Sequence, residues 1–313
     1  MTDLSRASRL LSFCDSQGVG LEIGPLCSPL VTRDAYPLVK YADYACRDDL
    51  IAASSGNPAV CPSGIPHIDY ICPSIDDIYC ISEQLNFVVA SHVIEHVPDF
   101  FGWLNAISSM LLDGGLLILA VPDRRYCFDY FRTESTFGDV MEAFWMRRRK
   151  PSARQVLDAF SLARHNNSPS SWHSPPNSDC RHVFSLDVAF ELGRQAAVES
   201  SYIDCHCWVF TYESFLELIE LGKQKLVLSH LEVHFSSPPI LGRMSFMSFC
   251  EKFLHKARSV SFQFFWCFNS FFDGKVEIAH LRLPFARVAL SSQAGHAYSE
   301  MNNANMGLGM ILS

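Results

Sequence analysis

Residues 87–99 read Phe87-Val88-Val89-Ala90-Ser91-His92-Val93-Ile94-Glu95-His96-Val97-Pro98-Asp99. Phe87 to Ala90 is an apolar run of strand length. Pro98 forbids one helix through the rest, because its ring would clash with the carbonyl of Ile94. A new helix starts at Asp99, whose side chain suits an N-cap, and runs to Leu112. Asp113-Gly114-Gly115 reads as a turn, and Leu116 to Val121 is a second apolar run stopped by Pro122.

The same rhythm extends towards the N-terminus. Residues 4–14 read as an amphipathic helix, Gly20 to Ile23 as a short strand, Leu38 to Tyr41 as a second closing at Asp43, and Ile68 to Ile71 as a third. Short apolar strands alternating with helices predict a mostly parallel sheet covered on both faces. Right-handed crossovers then bring all strand C-termini to one ligand-binding edge. From Asp123 to about Cys207 the rhythm changes. Helices are predicted near 134–150, 152–164 and 185–199, with a Ser/Pro/Asn-rich loop over 165–178. This stretch is too long for a simple connection and reads as an inserted lid or substrate region. Trp208 to Gly222 resumes as strand end and helix. Leu226 to Phe235 and Met244 to Cys250 read as an antiparallel hairpin. The predicted fold class is α/β: a Rossmann-like, doubly wound sheet with an antiparallel C-terminal hairpin and a helical insertion after strand five. The expected organisation is a domain over 1–253, carrying the insertion at 123–207, and a C-terminal extension over 254–313.

Composition narrows the partners. The 313 residues are 49% hydrophobic and 19% charged, enough apolar material for a buried core, and the net charge is −8. A general nucleic-acid binder carries a basic surface, so no nucleic-acid partner is expected. No window reaches the roughly 18 uninterrupted apolar residues of a membrane span, so no stable membrane insertion is expected. None of the 12 cysteines forms a C-x-x-C pair. The N-terminal stretch lacks the form of a secretory signal. Reduced thiols and a cytoplasmic location are the expectation.

Two further segments carry chemistry. In Gly20-Leu21-Glu22-Ile23-Gly24-Pro25-Leu26-Cys27-Ser28 a strand ends in an acid and a glycine, which lets the backbone turn sharply beside a ligand. Asp43 lies at the end of the second strand, 21 positions after Glu22. An acid about 20 residues past such a turn is placed to take the two hydroxyls of a ribose. Taken singly, each also fits an ordinary turn and a solvated aspartate.

With the glycine turn, the acid after strand two, the S-H-V-I-E-H-V string and the turn into strand five in this order, residues 18–125 resemble the class I S-adenosylmethionine-dependent methyltransferase family, in its small-molecule branch. The resemblance implies S-adenosyl-L-methionine as cofactor. Glu22, Gly24 and Pro25 would line its methionine end, Asp43 would hold the ribose, and Ser91 and His92 would sit near the sulfonium. It also implies in-line methyl transfer to a small-molecule or saccharide acceptor. The chain departs from the family pattern at Leu26 and Ser28, where further glycines are usual, which leaves a non-catalytic binding protein on the same fold as the alternative.

His92-Val93-Ile94-Glu95-His96 also matches H-x-x-E-H, a zinc-peptidase signature that needs both histidines on one helix. Pro98 places them in a strand-to-helix crossing instead, so no metal is expected and the zinc-hydrolase reading ranks last. In the insertion, Asp123, Arg125, Tyr126 and Arg132 follow strand five directly and are expected to orient a polar acceptor; an ion-paired structural loop is the alternative. His92, His182 and His206 are the candidates to take a proton from it.

Overall fold

A computed structural model describes residues 10–79, 81–165, 180–239 and 245–252. All of them lie within one unit spanning Met1–Ala257. The expected extension over 254–313, the loop over 166–179 and the start of the N-terminal helix lie outside the described residues.

Seven strands form one sheet in the order β3-β2-β1-β4-β5-β7-β6. They are β1 (Gly20–Ile23), β2 (Val39–Asp43), β3 (Tyr70–Ile71), β4 (Leu85–Ser91), β5 (Leu111–Pro122), β6 (Leu231–Ser237) and β7 (Ser245–Lys252). The first five pair in parallel; β7 runs antiparallel to both β5 and β6. The helices are α1 (Arg47–Ala53), α2 (Ile75–Tyr79), α3 (Phe100–Met110), α4 (Phe137–Trp145), α5 (Ala153–Leu162), α6 (Leu186–Arg194) and α7 (Tyr212–Gln224). The predicted α/β class, the parallel sheet and the terminal hairpin are all present.

Both faces of the sheet's centre are dry, which is why Phe87 to Ala90 of β4 and Leu116 to Val121 of β5 read as unbroken apolar runs. Val88, Ala90, Leu117, Leu119 and Val121 face one core with Phe101, Leu104 and Ile107 of α3 and Phe215 of α7. Phe87, Val89, Ile118 and Ala120 face the other with Leu10, Val31, Tyr41 and Leu50. Gly20 lets the strands close: a Cβ there would lie 2.1 Å from the ring of Phe87.

Three details differ from the sequence reading. Asp113-Gly114-Gly115 is not a turn ahead of the strand. Leu111 already pairs with Leu85, and regular pairing resumes at Phe87 with Leu116, so the glycines form an irregularity inside β5 with Gly114 at φ +77°. The first insertion helix ends at Trp145 rather than 150, and Arg147 takes a left-handed backbone. The segment before α7 is not a strand; it runs beside the crossing after β4 and bonds to it piecemeal.

Candidate functional site

The parallel register brings the predicted cofactor residues to one rim. Ile23 pairs with Ala42 on one side and Ala90 on the other. Gly24, Asp43 and Ser91 are therefore the next residues outward on three adjacent chains at the C-terminal edge. The order in which successive strands are added reverses between β1 and β4, and open α/β sheets bind ligands at such a switch point.

Glu22 stands two residues inside the rim and is only 2% exposed. Its Oε1 accepts from the Leu30 amide at 2.8 Å and its Oε2 from the Val31 amide at 2.9 Å. It thus folds residues 24–31 back over the strand end, and both its oxygens serve this loop. Burial pushes its carboxyl up to about 7, against the opposing pull of those two amides. Gly24 turns at φ +66° and donates to the Ala42 carbonyl. A Cβ at Gly24 would meet Val93 at 3.0 Å. Pro25 is buried, while Leu26 is exposed rather than filling the rim. Asp43 accepts from the Tyr44 amide at 2.8 Å. Burial raises its pKa, and the amides of Tyr44 and Leu26 oppose the rise.

After Ser91 the chain reverses through His92, a non-glycine residue at φ +59° whose amide donates to Ala120. Residues 92–98 are non-helical, as Pro98 requires, and Asp99 caps α3 by accepting from the Gly102 amide at 2.8 Å. The approach to α7 clamps this crossing. Trp208 donates its amide to the Glu95 carbonyl and its indole N–H to the Val97 carbonyl. The Cys207 thiol donates to His96.

The clamp assembles a network that sequence reading did not foresee. Glu95 is 0% exposed, and neither carboxylate oxygen has a hydrogen-bond partner among the described residues. His92 Nδ1 is 3.4 Å from its Oε1. His96 turns Nδ1 towards Asp204 at 3.1 Å, and His206 turns Nδ1 towards Asp129 at 2.5 Å. Asp129 also pairs with buried Arg132 at 2.8 Å. Burial would raise the Asp129 carboxyl, but His206 and Arg132 outweigh it and hold it at about 2. Burial would lower the His96 imidazole, but Asp204 outweighs it and the net shift is upward.

The other predicted residues are placed differently. His182 is exposed and bridges Arg164 through the backbone. Asp123 is fully buried: it accepts from Arg125 Nε at 2.8 Å and from a terminal guanidinium nitrogen at 2.7 Å, and from the Tyr212 amide at 3.0 Å. Arg125 also reaches Glu213 at 3.0 Å. Asp123, paired with Arg125, and Arg132, paired with Asp129, are thus buried in separate ion pairs, while Arg125 and Tyr126 keep partial exposure.

A family profile described as a methyltransferase domain matches residues 9–194, more than half of the chain. The chain belongs to this methyltransferase family. S-adenosylmethionine is the cofactor of the enzyme, and the turn at Gly24 beside the acid at Asp43 fits it: a backbone free of Cβ next to an acceptor for hydroxyls. Among solved structures, an S-adenosylmethionine-dependent methyltransferase from Mesorhizobium loti is similar at 11% identity and TM-score 0.40, covering 79% of this chain and 98% of its own. The DhpI–SAH complex is similar at 12% identity and TM-score 0.37, covering 79% and 82%. No curated protein matches the chain.

Proposed function

We propose that this methyltransferase methylates a small-molecule or saccharide acceptor by in-line displacement, with the cofactor seated on the β2-β1-β4 rim. One observation carries the reading: Gly24, Asp43 and Ser91 are register neighbours at the switch point of the sheet.

The cofactor supplies a methyl group already activated by the positive sulfur, so the protein's task is mainly alignment. Glu22 shapes the loop so that the backbone at Gly24 and Pro25 meets the methionine end. Asp43 accepts from the ribose hydroxyls. Ser91 and His92 flank the reacting methyl, and His92 takes the proton of an acceptor that must lose one. Arg125 and Tyr126, on the loop after β5, orient polar groups of the acceptor. The insertion over 123–207 supplies the acceptor side. The described cysteines are free thiols, which supports a reducing, cytoplasmic setting.

Calorimetry with S-adenosylmethionine tests the seat. Removing one charge-assisted partner costs about 1.5–3 kcal/mol. Asp43→Ala should therefore weaken binding by about tenfold or more. Unchanged affinity would remove Asp43 from the site, and no wild-type binding at millimolar cofactor would favour the non-catalytic binding protein.

A further inference from the structure

We propose that Glu95, His96 and His206 form a binding site for one divalent transition-metal ion beside the methyl-transfer rim. One donor atom from each lies within 4.8 Å of the other two. Metal–imidazole bonds of about 2.0–2.1 Å in a tetrahedral arrangement place ligand atoms about 3.4 Å apart, so closure needs side-chain adjustments of about 1 Å.

Two independent features point to an ion. The first is Glu95 itself. A carboxylate removed from water needs a cation or hydrogen bonds, yet among the described residues both its oxygens lack a hydrogen bond, and the imidazole of His92 stands 3.4 Å from Oε1. The second is the outer shell. Ligating histidines commonly direct their other ring nitrogen at a carboxylate, which fixes the tautomer and sharpens the donor. Both histidines do so here: Nδ1 of His206 faces Asp129 and Nδ1 of His96 faces Asp204, leaving Nε2 of each as the donor. The rings stand edge to face with centroids 4.7 Å apart. Arg132 holds Asp129 in turn.

Two imidazoles and one carboxylate suit Mn²⁺, Fe²⁺, Co²⁺ or Zn²⁺ better than the oxygen-seeking Mg²⁺ or Ca²⁺. Three protein ligands also leave a coordination position open, as in catalytic rather than structural sites. The site does not need the helical geometry of a zinc peptidase, because its third ligand arrives from the segment before α7. If the methyl-transfer reading holds, an ion here narrows the acceptor to one bearing a hydroxyl or carboxylate oxygen. That clause alone rests on the functional proposal.

The test uses the full chain, stripped with chelator and without cofactor. Titration with Mn²⁺, Co²⁺ and Zn²⁺ should show one ion per chain, and the Co²⁺ form should show visible d–d absorption of a low-coordinate, nitrogen-ligated site. Glu95→Gln and His206→Gln should each weaken binding by about a hundredfold or more, and Asp129→Asn by about 10–100-fold. Exposed His182→Gln should leave binding unchanged. Circular dichroism of the ion-free variants checks folding; Glu95→Gln removes an uncompensated buried carboxylate and should melt no lower than wild type. No stoichiometric ion on the wild type, or an ion retained at full affinity without Glu95 and His206, overturns the site. Cofactor calorimetry is read separately, so either idea can fail alone.

Discussion

Glu22 and Asp43 are both acids at strand ends, but their carboxylates do different work. Glu22 lies under the loop it anchors, and its proton affinity is raised by burial. Between pH 4.5 and about 7 the folded chain therefore holds a proton that the unfolded chain has released, so stability declines as pH rises through this window. Full burial would make the contribution about 3 kcal/mol at most. Urea midpoints measured across this range should fall with pH in the wild type more than in Glu22→Gln; equal slopes would assign the decline to other groups. The residue types of Glu22, Gly24 and Asp43 were legible because chemistry at a strand end needs few kinds of side chain. What Glu22 bonds to was not, because Leu30 and Val31 approach it only after the loop has folded. Likewise, nothing in local spacing joins His96 to His206, 110 positions apart.

At the scale of elements, periodicity and terminators carried most of the information. β4 and β5 were legible because burial on both faces makes their stretches Phe87 to Ala90 and Leu116 to Val121 wholly apolar, and α3 because Pro98 and Asp99 mark its start. α1 and α2 were not read; at seven and five residues they are too short to show a helical period. The excursion at Asp113 to Gly115 looked like a turn because Gly114 does take a turn-like backbone, although the strand had already begun. The α3 cap offers a clean measurement. Asp99→Ala leaves the Gly102 amide without its acceptor and should lower stability by about 1 kcal/mol, within a range of about 0.5–2. Chemical denaturation checks this, and a loss below about 0.3 kcal/mol would mean that another acceptor replaces the side chain.

Across the whole described molecule, the insertion is tied to the sheet through the crossing after β4. Trp208 is the pin: it is 1% exposed, packs on Phe100 and donates to Val97. Gln155 of α5 donates to the carbonyl of the preceding Cys207 at 3.0 Å, so an insertion helix shares the same fastening. Trp208→Ala should cost about 3–5 kcal/mol. It should also loosen the Glu95–His96 turn, seen as faster amide exchange over 92–98. Protection there equal to that of wild type would mean the crossing is rigid on its own. This long-range fastening is the part least visible in one sequence, because local sequence marks where the insertion's helices run but not what they lie against.

The left-handed backbone at His92 decides how that position can be probed and how it can drift. Holding a side chain there costs about 1–2 kcal/mol for most residues, least for glycine and the short amides and acids. Alanine or valine at 92 would disturb the chain path and remove the imidazole together. Asparagine keeps the path and removes the ring alone, so it is the replacement that separates scaffold from chemistry. Related sequences that have lost the ring should carry asparagine, aspartate or glycine at this point, and a β-branched residue would signal that the crossing itself has been rebuilt.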